Sequence, residues 1–159
     1  MEAPPGRHEE GNMGELLSGF WVAGDEKGGR ERDRLIRLLA VDDDPDTLEL
    51  IWAIIHLRGL PFEVRTAGDG SEAYSAVLSF RPEIVVLNYE MPQVDGIALC
   101  EQIVQESRIP RPKLILNSAI GPSEIWTKAL EAGADRFLPV PFTPENLLAI
   151  LQDLAGYED

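Results

Sequence analysis

Short apolar runs alternate along the chain with segments of helical period, beginning near residue 34. Leu35 to Val41 is a nearly continuous apolar run that ends in acids, a pattern typical of a strand covered on both faces. Asp44-Pro45 then predicts the start of a helix that ends at Gly59, because Asp caps helices and Pro fits their first turn. The alternation predicts further strands at 62–67, 84–87, 114–116 and 136–138, and further helices at 71–80, 97–104, 123–132 and 144–154.

Five strand–helix units with helix-length crossovers predict an α/β fold of one kind. The strands form a five-stranded parallel sheet, wound right-handed, with helices on both faces: a doubly wound (βα)5, flavodoxin-like domain. Ligands on such sheets bind at the carboxyl ends of the strands. The residues that follow each strand are therefore the candidates for function.

The first 33 residues show neither the period of a helix nor that of a strand. We expect residues 1–33 to be a flexible extension, residues 34–156 to be the folded domain, and 157–159 to be its C-terminal end. Leu16 to Val22 is an apolar exception within the extension, and it is either a short docking peptide or an accidental apolar stretch that leans on the domain.

Charge changes this picture by limiting the partners. Of 159 residues, 28 are acidic and 14 basic, a net charge of −14, and residues 34–159 carry most of the excess. This balance argues against binding to a nucleic-acid backbone or to an anionic membrane surface, since both need clustered Lys and Arg. One cysteine, Cys100, excludes an internal disulfide and suits a reducing compartment. With no signal-like N-terminus and no run long enough to span a bilayer, we expect a cytoplasmic protein.

Acids and amides stand at the predicted strand ends. Asp42, Asp43 and Asp44 follow the first strand, and Asn88 and Glu90 follow the third. Asp44 is interpreted as a helix cap. Two adjacent acids at a buried strand end repel each other and lose hydration, and a hard cation with oxygen ligands would relieve both costs. A solvated, helix-capping cluster is the alternative interpretation of Asp42 and Asp43.

Five motifs in register give the chain a family resemblance. Along residues 35–156 it resembles the receiver domain of two-component response regulators. The motifs that carry the resemblance are Val41-Asp42-Asp43-Asp44-Pro45, Ala67-Gly68-Asp69-Gly70-Ser71-Glu72-Ala73, Met91-Pro92 with Asp95-Gly96, Ser118-Ala119, and Gly133-Ala134-Asp135 followed by Pro141-Phe142.

The resemblance implies a function and a set of site residues. Receivers accept a phosphoryl group from a histidine kinase onto an Asp, and their change of shape controls a partner. Asp42 and Asp43 would be the acid pair that holds Mg²⁺, Ser118 the hydroxyl that turns toward the phosphoryl oxygens, and Phe137 the aromatic switch. Val140-Pro141 would be a cis peptide bond.

Two positions differ from the family at the residues that would carry out phosphoryl transfer. The phosphoacceptor position, four residues before Pro92, is Asn88, and an amide oxygen is a poor nucleophile. The lysine position, directly before Pro141, is Val140, which cannot pair with a phosphoryl oxygen. The lysines of the chain are Lys27, Lys113 and Lys128, and none is predicted at a strand end.

The two departures balance in charge and weaken the metal site. Three carboxylates and one ammonium sum to −2 in a usual receiver, and two carboxylates without an ammonium also sum to −2. We therefore infer a pocket that was rebalanced. Asp43, the amide oxygen of Asn88 and the backbone carbonyl of Glu90 remain as Mg²⁺ ligands, and we expect weak or absent binding, because hard-cation affinity follows ligand charge.

The leading interpretation is a pseudo-receiver that signals by protein–protein contact without aspartyl phosphorylation. Its partner would be a signalling protein or a histidine kinase, or a second copy in a homodimer. The face around the fourth helix, fifth strand and fifth helix is the expected docking surface, with Trp126, Leu130 and Phe142 as candidates; packing inward against the sheet is the alternative for each. With no output domain after Asp159, we expect output through a partner or the N-terminal extension.

Three other functions remain to be weighed. Phosphorylation on Asp42 or Asp43 is one alternative, and small-molecule binding at the strand ends is another, although no Gly-rich phosphate turn directly follows a strand. An enzyme is not expected. The two histidines, His8 and His56, lie away from the strand ends, and Cys100 lies in a predicted helix, so no nucleophile–base pair forms.

Overall fold

A computed structural model describes residues 34–92 and 94–156, so the expectations for residues 1–33 and 157–159 lie outside the described residues. The strands of the main sheet are β1 Ile36–Val41, β2 Phe62–Ala67, β3 Ile84–Asn88, β6 Lys113–Ser118 and β7 Arg136–Pro139. The sheet is parallel and has the strand order β2-β1-β3-β6-β7. The predicted five-stranded parallel sheet is confirmed.

Five helices cover the sheet on both faces. They are α1 Pro45–Leu57, α2 Gly70–Phe80, α3 Gly96–Gln105, α4 Pro122–Ala132 and α5 Pro144–Ala155. Buried residues of α2, α3 and α4 share one core cluster, and those of α1 and α5 share the other. The helices therefore form a layer of three and a layer of two, which is the doubly wound arrangement that the pattern predicts.

The strands supply side chains to both layers. Along β1, Leu38 and Ala40 belong to the cluster under α1 and α5, whereas Leu39 and Val41 belong to the cluster under α2, α3 and α4. Alternate residues of a strand point to opposite faces, so a strand with helices on both sides is apolar throughout. This explains the continuous apolar run from which β1 was predicted.

Side-chain caps start most of the helices. Asp44 accepts a hydrogen bond from the backbone N–H of Asp46, Asp69 from that of Glu72, and Thr143 forms a reciprocal capping box with Asn146. These caps satisfy the N–H groups that the first turn of a helix leaves unpaired. The prediction that Asp44 is a helix cap is confirmed.

Two features differ from the sequence predictions. Asn88 is the last residue of β3 rather than the first after it, because the ladder with β6 continues to the pair Asn88 and Asn117. A two-stranded hairpin, β4 Glu90–Met91 with β5 Val94–Asp95, then precedes α3 and was not predicted. Two-residue strands leave no periodic signal that a sequence pattern can reveal.

Gly96 allows α3 to start directly against the end of β3. A Cβ atom at this position would lie 2.8 Å from the Cα of Tyr89 and 3.1 Å from its carbonyl oxygen. Backbone atoms cannot move aside as a flexible side chain can. The absence of a side chain at Gly96 is therefore what brings this helix close to the polar end of the sheet.

Substituting Gly96→Ala should lower the free energy of unfolding by about 1–3 kcal/mol, the usual cost of overpacking a close contact. Chemical denaturation with urea measures it. Gly68→Ala is the matched control, because a Cβ there would meet only Glu72 Oε1, at 3.6 Å, and it should change stability by less than about 0.5 kcal/mol. Equal stabilities of the two variants would contradict the prediction.

Candidate functional site

A row of three polar side chains crosses the carboxyl edge of the sheet. Asp42 follows Val41, which pairs with Leu87, so Asp42 lies level with Asn88, and Asn88 pairs in turn with Asn117. The strands β1, β3 and β6 that carry these residues are neighbours in the sheet. The structure therefore brings together the polar strand ends that the sequence predicted to meet.

Asp42 is the buried acid of the row. It is only 4% exposed, and its Oδ1 accepts hydrogen bonds from the backbone N–H of Asp44 at 2.9 Å and from Asn88 Nδ2 at 3.1 Å. Burial raises the pKa of Asp42 to about 6, the two hydrogen bonds oppose the rise, and the charge of Asp43 adds to it. This carboxyl carries a free-energy cost when it ionises at neutral pH.

Asp43 and Asp44 differ from Asp42 in being exposed. The expectation that both members of the acid pair lose hydration at the strand end is corrected, because only Asp42 is buried. The chain leaves the sheet at Asp42, so the next two side chains reach solvent. Asp44 continues into the α1 cap and also accepts a bond from Thr47 Oγ1.

The carboxamide of Asn88 is held by hydrogen bonds on both sides. Its Nδ2 donates to Asp42 Oδ1 and to the backbone carbonyl of Glu90, at 3.3 Å, and its Oδ1 accepts from the Glu90 N–H, at 3.3 Å. Both partners of Nδ2 are acceptors and the partner of Oδ1 is a donor, so the partners set the orientation of the amide. The NH₂ group therefore points toward the buried carboxylate of Asp42.

Val140 lies in the loop between β7 and α5 and is 38% exposed. Its backbone N–H donates to the carbonyl of Ser118, and the Val140–Pro141 bond is cis, which confirms the expectation from the family resemblance. Lys113 begins β6 and Lys128 lies within α4, so neither described lysine stands at a strand's carboxyl end. Lys27 lies outside the described residues.

The hydroxyl of Ser118, at the end of β6, is fully buried and bonded to an acid. Ser118 Oγ donates to Glu90 Oε2 at 2.8 Å. The backbone N–H groups of Ala119 and Ile120 donate to the same carboxylate, each at 3.1 Å, and the Ile120 N–H also donates to Ser118 Oγ. The sequence pointed only to the carbonyl of Glu90, and it gave no signal for the Glu90 side chain, because the partners of that side chain are 28 to 30 positions away.

The aromatic pair beside the site lies between α4 and β7. Trp126 and Phe137 make an edge-to-face contact with ring centroids 5.9 Å apart, and both are half-buried against the cluster under α2, α3 and α4. Leu130 is 50% exposed, so the alternative that it packs inward is wrong. Phe142 is half-buried and packs against the other cluster.

One buried polar atom has no partner among the described residues. Asn117 is 1% exposed, and its Oδ1 accepts no hydrogen bond. The sequence assigned no role to this side chain. Asn117 Oδ1 is therefore a buried, unpaired acceptor beside Asn88 at the carboxyl edge of the sheet.

Two of the three atoms expected to bind Mg²⁺ each accept a hydrogen bond in this arrangement. Of the three expected ligands, the amide oxygen of Asn88 accepts from the N–H of Glu90, and the carbonyl of Glu90 accepts from the amide of Asn88, so two ligand atoms are already paired. Asp43 is exposed. No group of three or more His, Cys, Asp or Glu residues within the described ranges could hold a metal ion.

The cysteine and the histidine in the described part of the chain, Cys100 and His56, lie away from this edge. Cys100 is buried in α3, where burial raises the pKa of its thiol to about 11, so it is not a ready thiolate. His56 lies on α1, where its ring stacks on Trp52 and burial lowers its pKa.

No helix in the described part of the chain is long and apolar enough to cross a membrane.

The strand order, the two helical layers and the acid at the end of β1 define a doubly wound α/β domain of the flavodoxin-like class. Residues 38–152 match the response regulator receiver domain. The chain belongs to this family, whose members are signalling modules of two-component systems.

Relatives and solved structures agree with the assignment. The chain is 35% identical over 113 residues to the DNA-binding response regulator MtrA of Mycolicibacterium smegmatis, covering 71% of this chain and 47% of that protein. It is 38% identical over 119 residues to the response regulator MprA of Mycolicibacterium vanbaalenii, covering 75% and 50%. The chain thus spans about half the length of the curated relatives it matches.

Two solved structures illustrate the shared fold. The chemotaxis protein CheY4 of Vibrio cholerae superimposes with a TM-score of 0.70 at 26% identity, over 76% of this chain and 98% of that one. The signal receiver domain from Bermanella marisrubri superimposes with a TM-score of 0.69 at 28% identity, over 77% and 99%.

The burial of Asp42 predicts a specific dependence of stability on pH. The pKa of Asp42 is about 6 in the folded state against 3.8 as the ordinary value, so the folded state binds the proton more tightly. Stability is therefore highest below pH 4 with respect to this group and falls as pH rises through about 6, by up to about 3 kcal/mol.

Substituting Asp42→Asn should remove this fall, because the amide has no charge to bury. Urea denaturation in EDTA from pH 4 to pH 7 measures the difference between variant and wild type, which should grow with pH. Glu63→Gln, at an exposed acid on β2 that does not act on Asp42, is the control and should leave the pH dependence unchanged. A difference that stays constant with pH in Asp42→Asn would contradict the prediction.

Proposed function

We propose that this receiver domain, with boundaries at residues 34 and 156, signals through protein–protein contact without forming an aspartyl phosphate. The observation that carries the proposal is Asn88 at the end of β3, with its amide turned toward Asp42 Oδ1. Acyl phosphate formation needs a carboxylate oxygen to attack phosphorus. The amide oxygen of Asn88 carries no full negative charge, so it is a poor nucleophile compared with a carboxylate oxygen.

Val140, in the loop after β7, supports the same conclusion. Its apolar side chain cannot hold a phosphoryl oxygen, whereas an ammonium placed there would neutralise the charge of the transferring group. With Asn88 and Val140 both neutral, the hydrogen bonds of Asp42 come from an amide and a backbone N–H rather than from a charged partner. The polar side chains of Asp42 and Asn88 are hydrogen-bonded to each other, but the pocket lacks the carboxylate nucleophile and the ammonium group that phosphoryl transfer uses.

Phosphorylation of Asp42 or Asp43 is the alternative in the same class. Asp42 is buried, with one oxygen already accepting two hydrogen bonds, and this disfavours attack on an external donor. Asp43 is exposed, but neither lysine in the described part of the chain stands at a strand's carboxyl end, where it could stabilise the phosphoryl oxygens. Small-molecule binding remains a separate alternative that no side-chain arrangement at this edge specifically favours.

The docking surface that we propose is centred on α4 and β7. Leu130 is half exposed, and Trp126, one turn earlier on α4, is half-buried against Phe137. Phe142 contributes less, because it packs against the core. An exposed Leu beside an aromatic pair suits an apolar protein partner, such as a signalling protein, a histidine kinase or a second copy of this chain.

Direct contact with DNA is not part of the proposal. The relative MtrA is named a DNA-binding response regulator, but the matched region covers 47% of it. The net charge of −14 opposes binding of this chain to a phosphate backbone.

Phosphodonor labelling tests the proposed function. Wild type incubated with acetyl phosphate or phosphoramidate and Mg²⁺ should gain no phosphoryl group by intact-protein mass spectrometry. The double variant Asn88→Asp with Val140→Lys should gain one, because it supplies the nucleophile and the cation on the same scaffold. Val140→Lys alone is the control. Incorporation into wild type at this pocket would overturn the proposal.

Substitution at Leu130 tests the docking surface. If a second copy is the partner, Leu130→Ser should weaken self-association, measured by sedimentation equilibrium, by about tenfold, which is the effect of losing roughly 1.4 kcal/mol of apolar contact. Leu57→Ser is the control, since Leu57 is 85% exposed but lies on α1. Equal effects of the two substitutions would count against the α4 surface.

A further inference from the structure

Three hydrogen-bond donors of one short turn converge on a single carboxylate. The turn joins β6 to α4, and its donors are the hydroxyl of Ser118 and the backbone N–H groups of Ala119 and Ile120. The acceptor is the side chain of Glu90, with donor–acceptor distances of 2.8, 3.1 and 3.1 Å. Oε1 accepts one of these bonds and Oε2 accepts two, so both carboxylate oxygens are used.

This donor set is of a kind that binds oxyanions. Successive backbone N–H groups in a turn form a concave positive site, and a serine hydroxyl beside them adds a third donor. The site lies just before α4, where the N-terminal end of the helix dipole also favours negative charge. Gly121, the N-terminal cap of α4, supplies no side-chain cap. Glu124 places one acid in the first turn of this helix, and the carboxylate of Glu90 accepts from the Ile120 N–H just before it.

The backbone of Glu90 is itself fixed in position. Its N–H and its carbonyl both bond to the carboxamide of Asn88, and Glu90 pairs with Asp95 in the β4–β5 hairpin. A side chain on an anchored backbone loses less conformational freedom when it binds than one on a mobile loop. Asn88 therefore helps to hold Glu90 in reach of the Ser118 turn.

We propose that Glu90 is a built-in anionic ligand, whose carboxylate occupies the donor set of Ser118, Ala119 and Ile120 in place of an external oxyanion. The turn and the buried Ser118 hydroxyl thereby keep one arrangement without any phosphoryl group. This inference rests on the proposed function, since a domain that is never phosphorylated needs another anion if this turn is to remain satisfied.

The position of the turn explains how Glu90 could influence the docking surface. Ile120 packs against the core cluster, and α4 begins two residues later and carries Trp126 against Phe137. Glu90 acts through the turn and contacts neither aromatic ring in the contacts described above, so it is a positioning residue. An external anion can enter only if the carboxylate of Glu90 leaves.

The test combines amide hydrogen exchange with titration of inorganic phosphate, both followed by NMR at Ala119 and Ile120. The variants are Glu90→Ala, which removes the acceptor, and Glu90→Gln, which keeps the size of the side chain and one acceptor oxygen. Glu63→Gln, at an exposed acid on β2, controls for the loss of one negative charge. Circular dichroism confirms that each variant is folded.

In Glu90→Ala the Ala119 amide should exchange about tenfold faster than in wild type, because it loses its bond to a charged acceptor. The Ile120 amide should respond less, because it keeps its 2.9 Å bond to Ser118 Oγ. Glu90→Gln should be intermediate, and Glu63→Gln unchanged. Phosphate should shift the two amide resonances saturably in Glu90→Ala and leave those of wild type in place. The phosphate response is the readout that a merely structural side chain would not create.

Several results would overturn the proposal. Unchanged exchange in Glu90→Ala would mean that the carboxylate does not hold the turn. Faster exchange with no phosphate response would mean that the donors form no anion site and that Glu90 only stabilises the turn. Phosphate binding to these amides in wild type, as strong as in the variant, would mean that Glu90 does not occupy the site.

Failure of the proposed function would look different. Phosphoryl incorporation into wild type would be detected by mass spectrometry, and it would not alter the exchange rates of the unphosphorylated protein. Conversely, a wild type that accepts no phosphate from donors, together with a phosphate-insensitive Glu90→Ala variant, would leave the proposed function standing and remove Glu90 from it.

Discussion

The burial of β1, β3 and β6 between two helical layers is the constraint on which the rest of this structure depends. Their apolar runs satisfy both layers, and where each run ends, a polar side chain has to find its partners in a region with little water. Asp42 and Asn88 meet this requirement with each other. The side-chain oxygen of Asn117 accepts no hydrogen bond from any described residue.

Asn88 connects the polar groups at the edge of the sheet, because its amide both donates and accepts hydrogen bonds. A carboxylate at the same place would face Asp42 as a second negative charge, whereas the amide donates to Asp42 and to the carbonyl of Glu90 while accepting from the Glu90 N–H. Val140 adds no cation, and Asp42 accepts its hydrogen bonds from neutral groups, the amide of Asn88 and the backbone N–H of Asp44. In the proposed function, Asn88 and Val140 would therefore act as one electrostatic change.

The same amide connects the sheet edge to the surface on α4. By holding the backbone of Glu90, Asn88 supports the carboxylate that accepts from the Ser118 turn, and this turn leads into the helix that carries Trp126 and the exposed Leu130. A chain of short, satisfied contacts thus runs from the pocket to the docking face. It would give the proposed protein–protein role a physical basis that does not require a transferred phosphoryl group.

Sequence alone determined the order of the five strands of the main sheet and of the five helices, and the doubly wound sheet, because periodicity is a local property of the chain. Motif spacing, which is also local, singled out Asn88 and Val140, on which the proposed function rests. The sequence could not decide which of Asp42 and Asp43 is buried, since that depends on where the chain leaves the sheet. It also gave no sign that the Glu90 side chain reaches a turn 28 to 30 residues away, or that Leu130 is exposed. These features were decided only by the tertiary structure, because they arise from side chains of distant elements meeting at one edge.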